Sequence, residues 1–189
     1  MQPHEVVVVD DGSPIDPRPE LEQQQLPYPL HLIRQPNRGP GAARNHGAQQ
    51  ASGDFLVFID DDCMVEEGFL RAYALAFERD ANALWSGKVL TAPDRNLYCK
   101  AAQVVVDMAT TFYNPDLDNG RFYPSNNLGV NRSRYLEVGG FEDTYFRHSS
   151  EDRELCDRWT MAGGRIRHCP EARLYHEPPL GALSYLKMY

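Results

Sequence analysis

Short apolar runs alternate along this chain with segments of helical period, in the order strand, helix, strand. Glu5-Val-Val-Val-Val9 is a β-branched run that ends in Asp10-Asp11-Gly12-Ser13, so it predicts a strand followed by a turn. The proline-rich stretch from Pro14 to Pro29 predicts loop with one helical turn between Glu20 and Gln25, and His31 to Arg34 predicts a short second strand. Gly39 to Ala51 opens on Gly-Pro-Gly and continues with Ala42, Ala43, Ala48 and Ala51, which predicts a small-faced helix able to pack closely on a sheet. Phe55-Leu-Val-Phe-Ile59, bounded by Gly53-Asp54 and by charge, reads as a strand buried on both faces in the middle of a parallel sheet. A helix from Glu66 to Arg79, with Phe69, Leu70, Tyr73 and Phe77 along one face, and a strand from Ala83 to Leu90 follow. The alternation predicts an α/β domain with a mostly parallel, Rossmann-like sheet flanked by helices.

Beyond Thr91 the pattern is less regular. Ala101 to Thr111 predicts helix, Asn114 to Asn127 an irregular loop near a site, and Ser133 to Val138 a short helix ended by Gly139-Gly140. Ser149 or Ser150 can cap a helix from Glu151 to Ala162 that stops at Gly163. Arg165 to His168 and Arg173 to His176 predict two short closing strands. At 189 residues the chain suits one domain, and 42% hydrophobic with 24% charged residues is ordinary for a globular protein. A formal net charge of −8 argues against nucleic acid as partner, because phosphate binding draws on clustered Lys and Arg. No apolar run approaches the roughly 18 residues of a membrane span. The four cysteines, Cys63, Cys99, Cys156 and Cys169, lack any C-x-x-C pairing, so reduced thiols in a cytoplasmic protein fit better than a zinc framework or disulfides.

The candidate chemistry is acidic. Asp60, Asp61 and Asp62 sit at the carboxyl end of the Phe55 strand, where open α/β sheets bind ligands. Two carboxylates about 5 Å apart repel by roughly 3 kcal/mol at an effective dielectric near 20, so the triplet calls for a hard divalent cation. In the later helix, Asp152 shares the i, i+3, i+4, i+7 stripe of Leu155, Cys156 and Trp159 and is expected to point inward, with Glu151, Glu154 and Arg158 on the other side. The helix dipole favours its anion and burial disfavours it, which leaves a usable proton acceptor. His176, in Leu174-Tyr-His-Glu-Pro178, can add a neutral imidazole to the metal site.

Asp10-Asp11-Gly12-Ser13, Asn37-Arg-Gly39, Ala43-Arg44-Asn45-His-Gly47, Gly53-Asp54 before Asp60-Asp-Asp62, Gly139-Gly-Phe141 and Glu151-Asp152-Arg-Glu-Leu155 together resemble the family 2 glycosyltransferases of the GT-A fold. Each motif alone is common; the order and spacing from Val6 to His176 carry the resemblance. It implies a metal-dependent inverting transferase that takes a UDP- or GDP-sugar donor, uses Mn or Mg, and delivers the sugar to a hydroxyl of a glycan, lipid or small molecule. Asp11 would then bind the base, Arg44 would lie by the nucleotide, and Asp60 would face ribose or metal. Asp62 and His176 would ligate the metal, and Asp152 would be the catalytic base. Residues 1–90 would form the donor half of a single domain and residues 91–189 the acceptor half.

Family members normally carry a strand and helix ahead of the Asp-Asp-Gly-Ser strand, whereas here Met1 lies four residues before it. The expectation is either a piece of a longer enzyme or a shortened form whose sheet edge is completed by another chain, as a homo-oligomer or in peripheral association with a membrane. A non-catalytic scaffold without donor binding, or a nucleotidyltransferase using Gly39-Pro-Gly41 with Arg38 and Arg44, are the competing classes.

Overall fold

The computed structural model describes residues 1–92, 96–143 and 151–177. The chain opens with β1 (Val6–Asp10), one helical turn α1 (Arg18–Leu21) and β2 (Leu30–Arg34). The two strands pair in parallel, with Val6 opposite Leu30 and Asp10 opposite Arg34. Helix α2 (Pro40–Gln50) lies on β1, and its small face is what allows the approach. A Cβ at Gly47 would come within 3.2 Å of Val9 Cγ2.

A larger sheet follows, built from β3 (Phe55–Ile59), β4 (Cys63–Val65), β5 (Leu84–Thr91), β6 (Asn127–Asn131) and β7 (Ile166–His176), in the order β3-β6-β5-β7-β4. The helices between these strands are α3 (Phe69–Arg79), α4 (Leu97–Tyr113), α5 (Arg132–Val138) and α6 (Glu151–Met161). The α/β class is as expected, but the strand directions differ from a mostly parallel sheet. Among the described residues only β1–β2 and β5–β7 run parallel, whereas β3–β6, β5–β6 and β4–β7 are antiparallel. The antiparallel partners β4 and β6 are the strands that periodicity does not reveal. β4 has only three residues, directly after a turn, and β6 is Asn-Leu-Gly-Val-Asn, a poor strand composition. Gly129 is nonetheless required in β6, because a Cβ there would stand 2.5 Å from the ring of Tyr73 on α3.

Side chains alternate across the sheet into two cores. Leu84, Leu128, Val130 and Ile166 face Ala48 and Ala51 at the end of α2, Tyr135 of α5, and Leu155, Cys156 and Trp159 of α6. Trp85, Ala172 and Leu174 face Phe69, Ala72, Tyr73, Ala76 and Phe77 of α3, the helix face expected from the sequence. The strand Phe55–Ile59 feeds both cores through Leu56 and Val57, yet it is an edge strand rather than a central one. Its terminal residues Phe55 and Ile59 are 41% and 42% exposed, which corrects the expectation of burial on both faces.

The two predicted closing strands are one strand with a bulge. Gly87 pairs with Cys169 but Lys88 pairs with Arg173, so the residues around Pro170 bow out of the ladder. The fully buried Asn127 fills the gap: its Nδ2 donates to the carbonyls of Ala172 (3.0 Å) and Lys88 (3.3 Å), and its Oδ1 accepts from the Tyr73 hydroxyl at 2.7 Å. The loop from 114 to 126 is irregular as expected, but Asn114 organises it. Its Oδ1 accepts from the amides of Arg121 and Phe122, and its Nδ2 donates back to Thr110 and Phe122 carbonyls. Among the described residues no helix is long and apolar enough to cross a membrane.

Candidate active site

The acid triplet forms the tight turn from β3 to β4, closed by the Cys63 amide donating to the Asp60 carbonyl at 3.2 Å. Asp61 points to solvent. Asp62 turns toward the end of β7, where its Oδ2 lies 3.1 Å from His176 Nε2, both side chains about one-third exposed (33% and 32%). Backbone pairing makes this meeting obligatory. Cys63 stands opposite His176 in the β4–β7 register, and the Glu177 amide donates to the Asp62 carbonyl at 2.8 Å. Ligand atoms of Asp62, Cys63 and His176 all lie within 4.8 Å of one another. Burial, followed by the charges of Asp62 and Asp60, pushes the Cys63 thiol up to about 12.

Asp60 does not join that cluster. Its Oδ1 is paired with Arg44 Nη2 at 2.7 Å, and the same guanidinium places Nη1 3.4 Å from Glu151 Oε1 at the start of α6. Arg44 also stacks 5.3 Å from the ring centroid of Phe141. The loop carrying Phe141 is held by Asn45, the next residue of α2. Asn45 Nδ2 donates to the Phe141 carbonyl (2.7 Å), while its Oδ1 accepts from the Phe141 amide (2.8 Å) and the Tyr135 hydroxyl (2.6 Å). Gly140 can come this close only as glycine, with φ +70° and a would-be Cβ 2.3 Å from Asn45 Oδ1.

Glu151 is therefore not on the outer face of its helix, contrary to the sequence expectation. It is 8% exposed and lines up at i, i+4 and i+8 with Leu155 and Trp159, so it belongs to the buried stripe of the helix. The expected Glu154–Arg158 pair does form, though half-buried rather than exposed, with Arg158 Nε donating to Glu154 Oε1 at 2.8 Å. Asp152 is half-buried, and burial followed by repulsion from Glu151 pushes its carboxyl up to about 6, against lowering by the Arg153 amide and Arg44. Arg153 stacks on Tyr113 (4.6 Å) and Phe122 (5.8 Å), which pins the start of α6 to the end of α4 and the loop after it. The expected caps Ser149 and Ser150 lie outside the described residues.

Asp11 is placed at the same end of the molecule but is already engaged. It accepts from the amides of Arg38 (2.9 Å) and Gly39 (2.8 Å) and from Gln35 Nε2 (2.7 Å), and Gln35 Oε1 in turn meets His46 Nδ1 at 2.7 Å. This network fixes the loop that opens α2 and hence the position of Arg44. The structure thus joins Asp60, Arg44 and the start of α6, and separately joins Asp62 to His176, with the two sets contiguous through the triplet turn. Glu151, Cys63, Asn45 and Phe141 were missed as partners. Of these, Cys63 adjoins the triplet and Glu151 adjoins Asp152, so adjacency was the available signal.

This α/β frame is that of the GT-A fold. A family model described as glycosyl transferase family 2 matches residues 1–138, and the chain belongs to that family. It is 29% identical over 178 residues to the pre-mycofactocin glycosyltransferase of Mycobacterium tuberculosis, covering 91% of this chain and 37% of that protein. Among solved structures it is similar to S. aureus TarS in complex with UDP-GlcNAc (TM-score 0.72, 21% identity, 94% of this chain and 50% of that one). It is also similar to the mannosyltransferase PcManGT of Pyrobaculum calidifontis in complex with GDP-Man and Mn2+ (TM-score 0.70, 19% identity, 96% and 50%). The chain spans about half or less of the length of these relatives.

Proposed function

We propose that this domain is a metal-dependent, inverting glycosyltransferase that moves a sugar from a nucleoside diphosphate to an acceptor hydroxyl. The observation that carries the reading is the contiguity of two acid sites: Asp62 with His176 on one side of the triplet turn, and Asp60 bridged by Arg44 to the head of α6 on the other. Carboxylate oxygen with imidazole nitrogen, partly open to solvent, fits a divalent cation such as Mn2+ or Mg2+. Bound there, the cation supplies Lewis-acid stabilisation of the charge that gathers on the departing diphosphate. A UDP- or GDP-sugar donor is supported by the donors named for TarS and PcManGT.

Asp152 accepts the acceptor's proton as that oxygen attacks the anomeric carbon from the face opposite the leaving group, so one displacement inverts the centre. Its raised pKa suits a base that is ionised at neutral pH yet retains proton affinity. Arg44 holds Asp60 and Glu151 in place and offers a cation beside the nucleotide. Residues 1–90 supply Asp11, Arg44, Asp60 and Asp62 to the donor side. Residues 91–189 supply Glu151, Asp152 and His176 and shape the acceptor side. Reduced thiols at all four cysteines support a cytoplasmic setting, at or near the cytoplasmic membrane face.

The test is sugar transfer or donor hydrolysis with Mn2+ present and chelated. Loss on chelation and recovery on readdition are expected, and undiminished turnover in chelator overturns the metal's role. A second reading, a non-catalytic scaffold without donor binding, draws support from the internal partners that Asp11 and Asp60 already hold. Calorimetry with UDP- and GDP-sugars in the presence of metal separates them, since no binding favours the scaffold.

A further inference from the structure

We propose that Asn126 accepts a hydroxyl of the transferred sugar and so helps to select the donor. The inference rests on the glycosyltransferase reading and assigns a residue to the sugar itself, which neither acid site addresses. Three asparagines at or near the end of the loop before β6 and at its start are buried, Asn114, Asn126 and Asn127. Asn114 commits its amide to nearby backbone, and Asn127 commits its own to the β7 bulge and Tyr73. Asn126 does neither. It is 8% exposed, and its Oδ1 is shut off from solvent with no hydrogen-bond partner. An unpaired buried carbonyl is destabilising, so the fold itself gives no reason for an amide at this position.

Register and alternation bring this amide to the site. The β3–β6 ladder ends with Ile59 opposite Asn127, so one step further Asn126 comes opposite Asp60. Asn127 faces Tyr73 of α3, whereas Leu128 faces the core shared with α6. Two positions before Leu128, Asn126 falls on the α6 side together with Asp60. The same loop touches α6 one turn after Asp152, where Cys156 Sγ lies 3.9 Å from the Tyr123 carbonyl. Asn126 is thus bracketed by Asp60 and the first turns of α6. In a single displacement the sugar must span that interval, because its anomeric carbon is bonded to the diphosphate and attacked from the Asp152 side. An amide carbonyl accepts from an alcohol and is left unpaired by a sugar that lacks it, which makes the contact selective.

The experiment is calorimetry in Mn2+ on the natural chain and on Asn126→Ala, with UDP, GDP, UDP-glucose, UDP-GlcNAc and GDP-mannose. At least one sugar nucleotide should bind the natural chain more tightly than its bare nucleotide. Asn126→Ala should remove about 10-fold of that preference, while affinity for the bare nucleotide, which also reports folding, changes by less than about 3-fold. The midpoint of chemical unfolding without ligand should stay level or rise in Asn126→Ala, because the amide has no partner to lose. Deoxy versions of the preferred donor close the cycle: one of them should bind about 10-fold more weakly to the natural chain and lose little on Asn126→Ala. Equal loss of bare and sugar-bearing nucleotide, with a lowered midpoint, makes Asn126 structural. An unchanged sugar preference also overturns the proposal, and a raised acceptor KM beside it would give the amide to the acceptor instead. Both outcomes leave the transferase reading standing, whereas failure of every nucleotide to bind the natural chain overturns both.

Discussion

The triplet turn and the head of α6 are both acidic, and the molecule treats their carboxylates in opposite ways. At the turn, Asp62 stays one-third exposed and shares a hydrogen bond with an imidazole, an environment that keeps oxygen donors available. At the helix head, Asp152 is desolvated beside a second buried acid and its pKa rises to about 6. The same residue type thus sits in two different environments, one open beside an imidazole and one desolvated beside another acid, which is what the proposed roles of ligand and proton acceptor call for. Arg44 touches both regions, so it is the natural point at which to test whether they work as one site.

The largest effect should come from Asp152→Asn, which removes the proposed base and leaves the Asp62–His176 side intact. Turnover is expected to fall by roughly 10²-fold or more with donor binding preserved by calorimetry, and equal loss of both would make Asp152 structural. Next, Arg44→Ala strands Glu151 as a buried acid and frees Asp60, at a cost of about 3–5 kcal/mol in denaturant unfolding. The same change should move the Asp152 titration upward, because Arg44 lowers it. A pH series sharpens the contrast further. The acid limb of kcat/KM should rise with pH through about 6 as Asp152 ionises. Stability runs the other way: a carboxyl raised in the fold contributes fully below its unfolded pKa and loses that contribution as pH rises through about 6. Asp152→Asn is therefore expected to be more stable than the natural chain at pH 8 by about 1–3 kcal/mol, and no more stable at pH 4, in paired denaturation curves. The smallest effect belongs to Glu154→Ala, which breaks the half-buried i,i+4 pair with Arg158 and should cost about 1 kcal/mol or less with activity unchanged.

Much of this was legible before any coordinates. The buried side of α6 could be read from the apolar stripe of Leu155, Cys156 and Trp159, and α3 could be drawn from Phe69, Tyr73 and Phe77 for the same reason. What escaped were features set by contacts distant in sequence. β6 is a strand because β3 and β5 flank it, and Gly129 tolerates that place because Tyr73 needs the room. The bulge in β7 depends on Asn127, more than forty positions upstream, whose role no local pattern announces. Glu151 looked like an ordinary solvated acid until Arg44, on a different helix, supplied its partner. Periodicity reports which side of an element faces the core; it is silent on which charge waits there.

The pairing of β3 with β6 carries a consequence for biosynthesis. Phe55 is opposite Asn131, so the β3 edge has no ladder partner until a much later segment emerges from the ribosome. At about 5–20 residues per second that interval lasts about 4–15 s, during which an apolar strand stands open to other nascent chains. The segments before and after Thr91 consequently mature together rather than in turn, and an expressed piece ending near Thr91 is expected to reach the cell as an adhesive intermediate instead of a folded unit.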